Sequence, residues 1–274
     1  MRTLLIINDN SSAARHAAEF ALGLAQKMQS DILLLNTSAI KTTRVRKVVA
    51  GDFDNDFEDY QASEIFGYLK SLNSDCDHFK PGIEEFGMNE ISEAAVSDFI
   101  NKNNVWMVVK GMPDGPAPSK SKLNIHAVLN MVLCPLLLIP ERWHIKNIER
   151  IVYLTDLRYC ALQIVRYLAG IAKQCRGALS IAHISASGLP DMAEKYALDV
   201  FSGAISNKVS YDQLFFNNIK EKNLGKAVDV MINGLHNDIL ALANHRFHFE
   251  EIVGRYITET LPVNISIPLC VFPC

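Results

Sequence analysis

The same order of apolar runs occurs twice along the chain, and that repetition restricts the fold more than any single motif does. Placing Asp9 on Asp156 offsets the halves by 147 residues and pairs Ile32 to Thr37 with Leu179 to Ile184 without a gap. Placing Pro135 on Pro268 offsets them by 133 residues and brings Trp106 onto Ile239 and Gly111 onto Asn244. The difference, 147 less 133, gives the first half 14 additional residues. They are expected from Lys41 to Glu58, where the basic run KTTRVRK meets the acidic run GDFDNDFED, a surface excursion predicted to be the most mobile part of the chain. A repeat of about 135 residues far exceeds solenoid periods, so each copy is a whole domain with its own core. The boundary falls near Pro140 to Asn147, which gives domains 1–143 and 144–274.

Within each copy, buried strands alternate with amphipathic helices. Thr3 to Asn8 is a compact apolar run, and Ala17, Phe20, Ala21, Leu24 and Met28 then fall at helical spacing before the second run, DILLLNT. VWMVVK at Val105 to Lys110 and PLLLI at Pro135 to Ile139 are continuous rather than alternating, which implies a parallel sheet covered on both faces. The second half repeats this with IVYLT, a helix carrying Ala161, Ile164, Val165, Leu168, Ala172 and Cys175 on one face, then Ala178 to Ile184, DILALA and PLCVF. Each half reads as β-α-β-α-β-α-β-α-β with right-handed crossovers.

The residues at the strand ends resemble the universal stress protein family. Asp9-Asn10-Ser11 followed by AARHAAEFALGLA is similar to the family's Asp, Ser and alanine-rich helix after the first strand. Asp156 keeps the acid, Leu157-Arg158 departs from the pattern, and ALQIVRYLAGIA keeps the helix. Cys134-Pro135-LLLI and Ile267-Pro268-LCVF both resemble the start of the family's last strand. The resemblance implies two tandem doubly wound α/β domains, each a five-stranded parallel sheet of order 3-2-1-4-5 flanked by helices. It also implies an internal pseudo-dimer joined through the last strands near Leu136 to Ile139 and Leu269 to Phe272, and a role in stress physiology.

Many members of that family bind ATP or AMP at the carboxyl ends of the strands, where open α/β sheets hold ligands. Their phosphates rest on a loop after the fourth strand with the pattern G-x2-G-x9-G-[ST], because glycine lets backbone N–H groups approach the oxygens. This chain departs from the pattern in both halves. Lys110, Pro113, Leu123 and Asn124 stand at the motif positions of the first, and Ala243, Arg246, Tyr256 and Ile257 at those of the second. Pro113, Pro116 and Pro118 each remove a donor from the first loop. The candidate ligand-contacting residues are therefore Asp9 and Gly111 in one crevice and Asp156 and Asn244 in the other. ATP or AMP is disfavoured as a cofactor, although Lys110, Lys120, Lys122, Arg246 and Arg255 supply point charges.

Composition narrows the function further. A formal net charge of -3 leaves no electrostatic surplus for a phosphate backbone or an anionic membrane, so neither nucleic acid nor membrane is an expected partner. The N-terminal apolar run meets Asp9 too soon for a signal peptide, so a cytoplasmic location with reduced cysteines is expected. Asp52, Asp54 and Asp56 mimic a calcium loop, but Phe57 and Ser63 replace its glycine and glutamate. His245 and His248, with Glu250, Glu251 and His183, lack a metal-ligand spacing, and no metal site is expected. No nucleophile with a base partner can be named. The sequence is thus read as a non-catalytic binding or regulatory module for a small molecule or a protein, an internal pseudo-dimer that could itself dimerise, with an adenine-nucleotide-binding protein of weak hydrolytic activity as the alternative.

Overall fold

The computed structural model describes residues 2–37, 62–74, 79–88, 91–115 and 123–273. The charged excursion from Lys41 to Glu58, with Asp52, Asp54 and Asp56, lies outside the described residues, as do Pro116, Pro118, Lys120 and Lys122.

The first half runs β1 (Arg2–Asn8), α1 (Ser12–Met28), β2 (Ser30–Asn36), α2 (Glu64–Ser74), β3 (Ile83–Gly87), α3 (Glu93–Lys102), β4 (Val105–Met112), α4 (Ile125–Leu129) and β5 (Leu136–Pro140). The second runs β6 (Arg150–Thr155), α5 (Leu162–Cys175), β7 (Ala178–His183), α6 (Glu194–Val200), β8 (Leu214–Asn218), α7 (Leu224–Asp229), β9 (Ile239–Ala243), α8 (Phe247–Ile252) and β10 (Leu269–Phe272). The strands form one ten-stranded sheet, ordered β3-β2-β1-β4-β5-β10-β9-β6-β7-β8. The first five give the expected order 3-2-1-4-5, and the last five repeat it in mirror sequence. Every neighbouring pair is parallel except β5 and β10, which run antiparallel.

That one antiparallel pair defines a local dyad. Leu136 faces Val271, Leu137 faces Cys270 and Leu138 faces Leu269. The offset of 133 residues also carries Leu137 onto Cys270, so a twofold axis passes between these two residues. Because the axis stands across the sheet, it keeps α1 and α5 on the same face, where they touch.

Local chemistry explains why α1 sits so close to the sheet. Ser11 caps it by accepting the Ala14 N–H at 3.0 Å, and Gln29 ends it in the left-handed conformation at φ 50°. Alanines at 13, 14, 17, 18, 21 and 25 form a thin buried face that brings the helix axis against β4. Gly111 completes the fit: a Cβ at that position would lie 2.1 Å from the Ala13 carbonyl oxygen.

The connection from β5 to β6 is anchored rather than loose. Trp143 is buried edge to face on Phe20, with centroids 5.4 Å apart. Lys146 pairs with buried Asp238 at 2.5 Å, and Asp238 also accepts the Glu149 and Arg150 N–H groups. Lys27 of α1 donates to Asn147 at 2.8 Å. The expected boundary at residues 143 and 144 thus falls in a packed strap.

Replacing Gly111 with alanine forces α1 away from β4. The expected cost is about 1–3 kcal/mol of unfolding free energy, as for overpacking elsewhere, read from urea denaturation. An unchanged midpoint would contradict the close approach.

Candidate functional site

The carboxyl ends of β1 and β4, and of β6 and β9, form two related crevices. Lys110 of β4 stands beside Ile7 of β1, which brings Asp9 and Gly111 to one strand-end cluster. In the second half Tyr153 of β6 stands beside Ala241 of β9, which brings Asp156 and Asn244 to the other.

In the second crevice, Asp156 follows β6 and begins a short 3-10 turn at Leu157–Tyr159. Its carboxylate accepts from Arg158 Nε at 2.8 Å, Arg158 Nη2 at 2.7 Å and the Arg158 N–H at 3.0 Å. It also accepts the Ala186 N–H at 2.9 Å, which ties the loop after β7 to the end of β6. Burial alone would raise this carboxyl, but the Arg158 and Ala186 hydrogen bonds outweigh it and hold the group below its ordinary value of 3.8. The charge is fully engaged within the protein.

The space beside that clamp is narrow and bordered by two exposed rings, Tyr159 and Phe247. Tyr159 and Phe247 approach to 5.8 Å between centroids, and the Arg246 guanidinium lies 5.9 Å over the Tyr159 ring. The cavity bounded by Asp156, Tyr159, Arg246, Phe247 and His248 is about 10 Å³, room for about one water. Where the family pattern has a phosphate loop, the short α8 starts directly after Arg246, without a side-chain cap.

Asn244 serves the contact between the repeats. It is buried and donates to Asn130, the C-cap of α4, at 2.8 Å. His245, at φ 54°, reaches the same Asn130 oxygen at 3.0 Å. His126 of α4 stacks on Phe249 and meets His245 and Tyr256 edge on. The second-half loop is thereby fastened to a first-half helix.

The three histidines weighed as metal ligands have separate engagements. His183 Nδ1 accepts the Leu157 N–H at 3.2 Å, His248 Nε2 meets the Ile184 carbonyl at 2.9 Å, and His245 meets Asn130. Burial lowers the pKa of both His183 and His248. Among the described residues, no group of three or more His, Cys, Asp or Glu side chains is placed to hold a metal ion.

The first crevice is built differently. Asp9 is buried and accepts the Ser11 N–H at 3.1 Å, while Ser11 rather than Asp9 caps α1. Lys110 is buried beside it, with Nζ 3.3 Å from the Gly111 carbonyl oxygen. Burial pushes its ammonium group down, opposed by the negative charges of Asp9 and Glu259. Toward the sheet edge, Asn8 donates to Asn36 at 2.5 Å, Asn36 donates to Glu85 at 2.9 Å, and the Ser63 hydroxyl donates to Glu85. This polar ladder crosses the ends of β1, β2 and β3.

No protein-family model and no curated protein sequence matches the chain. Solved structures do. A universal stress protein from Archaeoglobus fulgidus DSM 4304 aligns over 99% of this chain and 98% of its own, at 13% identity and a TM-score of 0.61. The chain has the universal stress protein fold. A functionally unknown protein from Pseudomonas aeruginosa PAO1 aligns over 100% of this chain and 92% of its own, at 12% identity and a TM-score of 0.55. The tandem size of the universal stress protein neighbour agrees with the duplication. At these identities the likeness concerns the fold, and the chemistry rests on the residues described above.

Sequence reasoning placed the acids of the universal stress protein pattern at the strand ends but missed the Arg158 clamp and the Tyr159 and Phe247 contact. The departure at Leu157-Arg158 was the available signal for the first. Replacing Arg158 with methionine is expected to cost about 1.5–3 kcal/mol at neutral pH, the range for hydrogen bonds to charged groups. A carboxyl held low stabilises the fold above its unfolded value and loses that contribution as pH falls through its folded value. The gap between wild type and Arg158→Met should therefore narrow below 3.8. Chemical denaturation across pH measures this, and a gap independent of pH would contradict the clamp.

Proposed function

We propose that the protein is a non-catalytic binding or regulatory module of the stress-response type, acting in the cytoplasm on a small molecule or a protein, with a second crevice that takes no nucleotide. The observation carrying this reading is the space left beside Asp156, between the ends of β6 and β9. It is separate from the wider concavity of about 890 Å³ after β7 and β8, lined by Ser185, Asp191, Glu194, Lys220 and Glu251. A cavity of about 10 Å³ stands where ligand sites commonly measure about 300–1,000 Å³. Admitting a nucleotide would require Tyr159 and Phe247 to leave and Asp156 to exchange Arg158 for a sugar hydroxyl. A neutral hydroxyl is a weaker partner for a buried carboxylate than a two-pronged guanidinium. Among the described residues, no helix is long and apolar enough to cross a membrane. The small negative net charge also gives little attraction for a polyanion.

One observation favours the second reading, an adenine-nucleotide site with weak hydrolytic activity, and it lies in the first half. There Asp9 is followed by Asn10 and Ser11 rather than by an arginine two residues on, and Lys110 lies at the adjoining strand end. A phosphate chain entering this crevice would find a positive charge but must lift a buried lysine away from its present surroundings.

Isothermal titration with ATP and with AMP, each with and without magnesium, tests the proposal. The expected result is binding weaker than micromolar at both halves. Lost backbone donors are each worth about 1.5–3 kcal/mol, so two of them cost roughly a hundredfold or more. Micromolar or tighter binding abolished by Asp9→Ala would establish the second reading instead.

A further inference from the structure

The dyad between Leu137 and Cys270 builds two equivalent grooves. Each lies where the helix after the first strand of one half passes the amino ends of the other half's strands. In one of them Phe20 of α1 receives the Trp143 indole edge to face at 76°, and Trp143 is only 7% exposed. Trp143 belongs to the strap from β5 to β6, which can cover only one of the two grooves. The offset of 147 residues carries Phe20 onto Tyr167 of α5. At Tyr167 the related groove is an open cavity of about 550 Å³, walled by Trp106, Cys134, Ile164, Tyr167 and Phe272 with Leu133 at the rim.

We propose that this cavity binds a small apolar aromatic molecule of the indole or naphthalene class that carries a single carboxylate or sulfonate directly beside its rings. It does not take a nucleotide, whose polar base and sugar the apolar wall does not match. Its wall is pre-formed. Trp106 and Tyr167 stack at 4.9 Å with 17° between planes, and the Tyr167 hydroxyl donates to the Trp106 carbonyl oxygen at 2.8 Å. Phe272 meets Tyr167 edge on at 5.3 Å. Rigid rings lose little freedom when a ligand arrives, so the apolar area they offer is available for binding. The related groove holds an indole, which identifies the ring class that fits this geometry. The charge comes from Arg2, whose exposed guanidinium lies 5.3 Å over the Trp106 ring and lines the cavity. A carboxylate or sulfonate on the ligand would meet that guanidinium while its rings enter the groove. Burial pushes the Cys134 thiol up to about 12, which makes it an apolar part of the wall at neutral pH. The site lies at the opposite ends of β1 and β4 from the Asp9 crevice, and it stands whichever reading of the nucleotide crevices holds.

The test uses the full chain with Trp143→Phe, which keeps a ring on Phe20 and leaves Trp106 as the single tryptophan of the two. The probes are 1-anilinonaphthalene-8-sulfonate and its uncharged parent N-phenyl-1-naphthylamine, followed by energy transfer from Trp106. One equivalent of the sulfonate should bind with transfer, and indole-3-carboxylate should displace it while ATP should not. Arg2→Glu, at an exposed position and with an unchanged urea midpoint, should weaken the sulfonate about tenfold or more and leave the neutral probe within about threefold. Non-saturable binding, absence of transfer, displacement by ATP, or equal sulfonate affinity in Arg2→Glu would overturn the proposal. So would stronger displacement by the heptapeptide ERWHIKN than by indole-3-carboxylate, which would make the groove a peptide site.

Discussion

Three register pairs between β5 and β10 join the two halves, and the remaining architecture depends on them. Each half taken alone is a parallel sheet with an apolar last strand at its edge, a surface that would pair with other chains if left open. Antiparallel pairing removes both edges at once and places Leu137 against Cys270 on the dyad. The strands left at the outer edges, β3 and β8, are half-buried and carry polar groups such as Glu84, Glu85, Asn217 and Asn218. The same pairing keeps α1 and α5 together on one face and brings the loop after β9 within reach of Asn130.

The duplication supplies symmetry, and individual side chains then break it. Asp9 and Asp156 occupy related positions, yet one lies beside a buried lysine and the other is clamped by an arginine from its own turn. Gly111 and Asn244 are likewise related. The glycine clears the way for α1, while the asparagine fastens its loop to α4. A tilted aromatic contact between Tyr159 and Phe247 then narrows the space beside Asp156. The strap between the halves adds a further asymmetry, because it packs Trp143 into one seam groove.

Much of the fold was legible in the sequence, because strands buried on both faces read as unbroken apolar runs. β1, β2, β4 and β5 and their counterparts all announce themselves this way, and the paired prolines at 135 and 268 set the frame. The third strands did not show. IEEFG and LFFNN lie at the sheet edges, where one side is solvated and no continuous run is required. The site was less legible. An Asp at a strand end can be read from sequence, but whether it is free or neutralised depends on Arg158 folding back onto it. The contact beside it requires Tyr159 and Phe247, far apart in the chain, to meet. Gly111 is a ligand-crevice candidate by its place after the fourth strand, and the clearance it provides to Ala13 is a further demand of packing that appears only when α1 is docked. The aromatic wall at the seam was invisible for the same reason, since Trp106 and Tyr167 belong to different repeats.

If the β5 and β10 seam unites the halves, they should open together. Native-state hydrogen exchange at low denaturant measures this directly through the amides of β1, β4, β6 and β9 and of Leu137 and Cys270 at the seam. The account predicts that these central amides exchange only through global unfolding, with one common free energy. Exchange of either half's central strands through a separate opening of lower free energy, while the other half stays protected, would contradict it.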